Sequence, residues 1–381
     1  MSTTPFARPF AELRLTDRPT VGGKGASLGE LTFAGAPVPP GYVVTTAAFD
    51  AFLTALDPGG EIRTAVEALD AQDTEAITRA VTPIRERIEA ADLPPDVAAA
   101  IRAPYRDLDS ESDTPGEPAP VAVRSSATSE DAEDASFAGL QDTYLWVRGE
   151  DSLVEHVRRC WASLYSVESV SYRRRLGLPE HDLAMAVVVQ RMIDPRCAGV
   201  MFTRSPLTGD RSVVALEGSW GLGSALVSGD VTPDKYVIGK VTGDICSRTV
   251  SAKLRQHRMD PSGSGVLEED VPEYLRDAPC LSDEEIHELV RLGRQVEAHY
   301  GTPQDIEWAI SRNLVPGHHV FLLQSRPETV WASREKAPAA APKARAFDHV
   351  LALLGGAGSG VGGSGVGGSG VGGSGVGGGT K

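Results

Sequence analysis

Apolar positions recur near helical spacing across residues 61–105, at Ile62, Val66 and Leu69 and again at Ile77, Val81, Ile84 and Ile88. That period predicts two or three helices, each with one apolar face. The stretch 151–177 reads as one long helix, and 281–300 as another. The second opens on Ser282 with Glu285 three positions on, the pattern of a capping box. A Gly-rich turn at 21–25 leads into an apolar helix, Ala26 to Phe33. PVPPGYVVTT then turns into a short strand, after which Thr45 or Thr46 caps a further helix. VAVRSSA (121–127) is a strand running into a polar loop, and short apolar runs predict strands at 184–192, 198–203, 212–218, 305–310 and 319–325. Helices gather early and strands late, so the expected class is α+β rather than regular βαβ alternation.

The pattern changes at the ends of this region. DLDSESDTPGEPAP (107–120) is acidic and Pro-rich and reads as a surface loop. After about residue 335 an Ala/Pro stretch leads to a short apolar patch, FDHVLALL, and then to GSGVG repeats. The expected boundaries are a folded region at 1–335, a linker at 336–354 and a disordered tail at 355–381. The tail offers too little apolar surface to offset its ordering entropy.

Composition narrows the partners. The formal net charge of −15 argues against non-specific nucleic-acid or anionic-membrane binding, which need excess Lys and Arg. It leaves room for a local anion site, because charge matters mainly within about 8 Å at physiological salt. The four cysteines, Cys160, Cys197, Cys246 and Cys280, show no CxxC spacing and are expected to be reduced thiols. No secretory leader and no apolar run of about 18 residues is seen, so a cytoplasmic protein is expected.

Candidate chemistry sits in separate segments. Lys24 lies inside GGKG, where glycines let a backbone approach a ligand and an ammonium can face a phosphate; the same residues also suit a tight turn. Arg124 leaves a strand of small apolar residues into Ser125, Ser126 and Thr128. Its fork of donors matches phosphate oxygens, although a buried pairing with a carboxylate would serve as well. Gly139, between Ser136 and Thr143, suits a loop over phosphates or an ordinary turn. Gln190 ends a buried apolar run and needs partners, whether a purine edge or a backbone group. The Gly-rich 217–236 segment is too loose for a dinucleotide fingerprint. Asp305 and Glu307 share one strand face and repel unless a cation sits between them. Magnesium takes such carboxylates together with nucleotide phosphates. Gln324 offers another oxygen and Arg326 a phosphate clamp. His318-His319 reads as a solvated turn, and no Ser-His-Asp or Cys-His arrangement is argued.

Taken in order, VGGKGASLGEL, VAVRSSATSEDAEDASFAGLQDTYL, VVVQRMI, AGVMFTRSPLTGD, WGLGSALVSGDVTPDKY and QDIEWAI…LLQSRP resemble the N-terminal nucleotide domain of the pyruvate, water dikinase (phosphoenolpyruvate synthase) family. Rifampicin phosphotransferase and the ATP-binding subunit of phenylphosphate synthase share that domain. The resemblance covers about residues 12–331. It implies an ATP-grasp-like fold over 1–335, with the nucleotide between two α+β lobes and ATP and Mg²⁺ as ligands. Lys24, Arg124 and Arg326 would contact phosphates, the two arginines as catalytic groups. Gly139 and Thr143 would belong to the covering loop, Gln190 would lie near the adenine, and Glu307 and Gln324 would hold the metal. In the family, a His on a swivelling domain attacks the β-phosphoryl group, ATP ends as AMP, and phosphate is released. None of the eight His here follows Thr-Ser, the family's carrier motif. The resemblance therefore implies a partner polypeptide that carries the phospho-His domain and binds the small-molecule acceptor. The alternatives are a non-catalytic ATP-binding module, or the ATP component of a rifampicin- or phenol-phosphorylating enzyme.

Overall fold

The structure, a computed structural model, describes residues 5–110, 117–128, 131–132, 135–136, 142–260, 265–313 and 319–331. All of them fall in one unit, Met1–Trp331. The linker and tail expected after residue 335 lie outside the described residues, as do Gly139 and His318.

In chain order the first part contains β1 (Ala7–Pro9), α1 (Arg18–Phe33), β2 (Gly41–Val44), α2 (Thr46–Leu56), α3 (Glu61–Glu67), α4 (Thr74–Ala90) and α5 (Pro95–Ser110). It continues through β3 (Val121–Ala127), the short β4 (Asp131–Ala132) and β5 (Ala135–Ser136), β6 (Thr143–Val147), α6 (Glu150–Ser163), α7 (Val167–Leu176) and β7 (Met185–Arg191). Strands β1-β2-β7-β3-β6 form an antiparallel sheet in that order. Both faces of its centre are covered. Val187 and Val189 join a core with the helical side, where Phe52 stacks on Trp161 at 5.1 Å between ring centroids. Ala186 and Val188 pack on the other side against Val21 and Leu28 of α1. Burial on two faces is why 185–189 reads as an unbroken apolar run.

The second part holds β8 (Pro195–Phe202), β9 (Val213–Trp220), α8 (Ser224–Val227), β10 (Asp234–Gly239), β11 (Ile245–Thr249), β12 (Arg255–Met259) and β13 (Val266–Asp270). It ends with α9 (Glu273–Arg276), α10 (Asp283–Tyr300), β14 (Gln304–Ser311) and β15 (Val320–Pro327). A second antiparallel sheet has the order β11-β10-β9-β8-β14-β15, and β12 pairs with β13 beside it. Ile286, Leu289, Leu292 and Val296 of α10 pack on Met201, Leu216, Ile306 and Trp308 of this sheet. The class is α+β, with two large antiparallel sheets and two short two-stranded ones among the described residues.

Four local expectations need correction. Helix α5 runs on to Ser110 and buries Leu108, so residues 107–110 of the expected surface loop are helical. The helix expected over 151–177 is two helices, α6 and α7. The Leu164 carbonyl accepts from Arg173 Nη1 at 2.6 Å, and the Ser166 hydroxyl caps the new start by accepting from Ser169 N at 3.1 Å. Helix α1 begins at Arg18 rather than Ala26, and Gly22 (φ 69°) interrupts it. Thr45 stands at the cap position of α2, but its hydroxyl donates to the Pro5 carbonyl at 2.9 Å instead of capping. The capping box of α10 is present as read, with Ser282 and Glu285 satisfying each other's backbone N–H groups.

Candidate functional site

The site is assembled where α1 and the two sheets meet. Gly22 lies so close to β3 that a Cβ would collide with the Ser126 carbonyl oxygen. Ser126 Oγ accepts from Gly25 N at 3.2 Å and donates to the Val21 carbonyl at 3.0 Å. The glycines of GGKG thus permit a close approach between two parts of this chain, and they set Lys24 at the rim of a cavity. From the same helix, the Ser27 hydroxyl donates to the Ser325 carbonyl at 2.5 Å, joining α1 to β15.

Arg124 is the one residue of β3 that is not buried by its sheet. Its Nη2 donates to Gln324 Oε1 at 2.6 Å and to Glu307 Oε2 at 3.2 Å, and its Nη1 to the Leu323 carbonyl at 3.4 Å. The guanidinium is 12% exposed and its buried Nε has no protein partner. Glu307 and Gln324 stand directly opposite each other on β14 and β15, and a bulge follows at Glu307/Trp308. The two side-chain oxygens therefore converge on one nitrogen from the first sheet. Asp305, two residues before Glu307, faces Arg326 at 3.4 Å. Burial raises the Asp305 carboxyl above its usual range and Arg326 partly offsets this. The repulsion expected between Asp305 and Glu307 is thus met by two guanidinium groups, one for each carboxylate.

A cavity of about 280 Å³ opens beside Arg124 and Glu307. Thr143, opposite Arg124 in the sheet register, lines it, as does Gln190, whose Nε2 donates to the Pro39 carbonyl at 3.4 Å. Leu145, Ile193, Leu222 and Leu323 give this cavity apolar walls. A second cavity, about 230 Å³, is lined by Lys24, Gln324 and Arg326. Leu323 lines one cavity and the adjacent Gln324 the other, so the two flank a single step of β15. Of the residues singled out from sequence, Lys24, Arg124, Thr143, Gln190, Glu307, Gln324 and Arg326 are brought to these two cavities. Gly139 lies outside the described residues.

Sequence reasoning missed Arg18 and Tyr300, which also line the second cavity. Nothing local marks them: one opens a helix, the other ends one. The Gly-rich 217–236 segment forms no dinucleotide unit; Gly221 packs against the His257 carbonyl and α8 follows it. Among the described residues, no helix is long and apolar enough to cross a membrane.

A family profile described as pyruvate phosphate dikinase, AMP/ATP-binding domain, matches residues 18–346. A probable phosphoenolpyruvate synthase of Staphylothermus marinus is 40% identical over 367 aligned residues, covering 90% of this chain and 44% of the relative. The corresponding protein of Methanothermobacter thermautotrophicus is 43% identical over 320 residues, 84% of this chain and 45% of its own length. A rifampicin phosphotransferase of a Streptomyces species is 43% identical over 311 residues, 81% of this chain and 34% of its own length. The chain thus spans less than half the length of these curated relatives. With the profile covering most of the sequence, the chain belongs to the pyruvate phosphate dikinase AMP/ATP-binding domain family.

Proposed function

We propose that this chain binds Mg-ATP as the nucleotide component of a dikinase-type phosphotransferase, in an ATP-grasp-like domain of residues 1–335. The observation that carries this reading is the convergence of Glu307 Oε2 and Gln324 Oε1 on Arg124 Nη2. A carboxylate and an amide oxygen that meet at one cationic nitrogen form a donor set suited to magnesium, which prefers hard oxygen ligands and few protein carboxylates. Bound magnesium would neutralise phosphate charge. Arg124, Lys24 and Arg326 would hold the phosphate oxygens, Arg124 through its two-pronged fork. The apolar walls of the 280 Å³ cavity, with Gln190 at its edge, would take the adenine. Thr143, with Gly139 in the preceding segment, would cover the phosphates.

The chemistry proposed is phosphoryl transfer from ATP to a His supplied outside this chain, by a separate polypeptide that also binds the small-molecule acceptor. The His nitrogen bonds to the β-phosphorus as the bond between the α- and β-phosphates breaks, so AMP leaves and a pyrophosphoryl group sits on the His. Water then removes the terminal phosphate, and the phospho-His passes its group to the acceptor. Catalysis here is positioning and charge stabilisation, since a loose phosphoryl transition state needs little else from the protein. The acceptor class, pyruvate or another small molecule, belongs to that partner.

Calorimetry tests the site directly. Arg124→Ala and Glu307→Gln are each expected to weaken Mg-ATP binding by about ten- to a hundredfold, the value of one charged hydrogen bond. Unchanged affinity in both variants would refute the assignment. Incubation with Mg-ATP and a candidate His-bearing partner should yield AMP. Tight ATP binding without AMP under any pairing would favour a non-catalytic nucleotide-binding module.

A further inference from the structure

A histidine fixes one wall of the apolar-walled cavity beside Arg124. Ser224, at the start of α8, lines that cavity and also a third one, of about 700 Å³, whose walls include Arg148, Ser152, His156 and His257. Ser224 Oγ lies 2.9 Å from His257 Nδ1. The main chain of His257 holds the same turn: its carbonyl accepts from Leu222 N at 2.9 Å, and a Cβ on Gly221 would strike its oxygen. On the other side of the ring, Nε2 faces Asp230 Oδ2 at 3.8 Å, and Asp230 also accepts from the Ser228 hydroxyl. A carboxylate beside Nε2 favours the neutral tautomer with its proton there, which leaves a lone pair on Nδ1. Ser224 then donates to Nδ1, and its hydroxyl keeps only acceptor capacity for the cavity. His257 lines the third cavity and not the one beside Arg124, so it acts there through Ser224.

A ligand group that meets Ser224 must therefore bring a hydrogen. Thr143, Gln190 and Ser224 are the hydroxyl and amide side chains lining the cavity beside Arg124, and the Mg-ATP reading uses the first two, for phosphate and base. The ribose lies between base and phosphates and carries two hydroxyls, each of which needs an acceptor once buried. We infer that Ser224 accepts a hydrogen bond from a ribose hydroxyl of the nucleotide, and that His257 is the positioning residue that fixes the Ser224 hydroxyl as an acceptor. This rests on the Mg-ATP reading and extends it to the sugar. The chain thereby distinguishes ribonucleotides from deoxyribonucleotides at this wall.

The test is calorimetry in magnesium with ATP, 2′-deoxy-ATP and 3′-deoxy-ATP, on the full chain and its Ser224→Ala, His257→Phe and His257→Asn variants. The parent is expected to bind ATP about three- to tenfold more tightly than the analogue lacking the contacted hydroxyl, the value of one neutral hydrogen bond. Ser224→Ala should remove that preference by weakening ATP while leaving the analogue unchanged. His257→Phe keeps a ring but offers Ser224 no acceptor, so it should lower the preference too. His257→Asn, whose amide oxygen can take the place of Nδ1, should retain part of it. Absence of any preference in the parent overturns the inference. So does an equal loss for all three nucleotides in Ser224→Ala, which would mark a merely structural role, or unchanged ATP affinity in that variant. A full preference in His257→Phe overturns the role of His257. Failure of the parent chain to bind any of the three would instead sink the Mg-ATP reading itself.

Discussion

A single hydrogen atom on Gly22 makes room for the approach of α1 to β3. Its φ of 69° and its contact with Ser126 both exclude a side chain. Gly22→Ala is therefore expected to destabilise the fold by about 1–3 kcal/mol, read as a lower denaturant midpoint. A midpoint equal to the parent's would show that the Ser126 contact relaxes freely. A second residue-scale feature lines none of the three cavities. Lys253 and Asp234 are fully buried and 2.6 Å apart, and Asp234 also accepts from Ser251 N and Cys280 N. Removing the cation strands a buried carboxylate, so Lys253→Met should cost about 3–5 kcal/mol in a denaturation experiment, while nucleotide affinity measured on the folded fraction stays constant. Neither role was legible beforehand. GGKG suited either a tight turn or an approach to phosphate, and only the fold shows that its glycines pack on Ser126.

Among the elements, the start of α10 was readable in full. The Ser282 and Glu285 capping box of α10 uses groups three residues apart, so local sequence suffices to specify it. Ser282→Ala is expected to lower stability by about 1 kcal/mol, measured by thermal unfolding, with Glu285→Ala removing the reciprocal bond. The division of 151–177 into α6 and α7 was not readable, because the Leu164 carbonyl is claimed by Arg173, whose side chain is held by Glu180 beyond the helix. Strand β8 shows the same dependence on neighbours. Gly199 has no room for a Cβ between the Glu217 carbonyl and the Trp308 ring, although its own sequence, AGVMF, reads as an ordinary strand.

For the whole molecule, the consequence is a cleft whose chemistry is divided between two sheets. Arg124 belongs to one sheet and its acceptors Glu307 and Gln324 to the other. Ligand that binds only the folded chain stabilises it by about 2.7 kcal/mol at a hundredfold excess over Kd. Mg-ATP is therefore expected to raise the melting temperature of the parent chain, and Arg124→Ala to reduce that rise at equal ligand concentration. An identical shift in both would argue that nucleotide binds elsewhere.

The sequence by itself determined the α+β class, the buried apolar strand at 184–192, the α10 cap and the order of polar motifs along the chain, since each depends on neighbours within a few residues. It also singled out Arg124, whose neighbours in its strand are core, and Glu307 and Gln324, whose oxygens suit a cation. Only the tertiary structure decided which partners they have. Residues 124 and 307 meet through the juxtaposition of two sheets, and Arg18 joins Arg326 at one cavity through the seating of α1 on β15. Contacts across such distances in the chain arise from packing, and packing has no local signature.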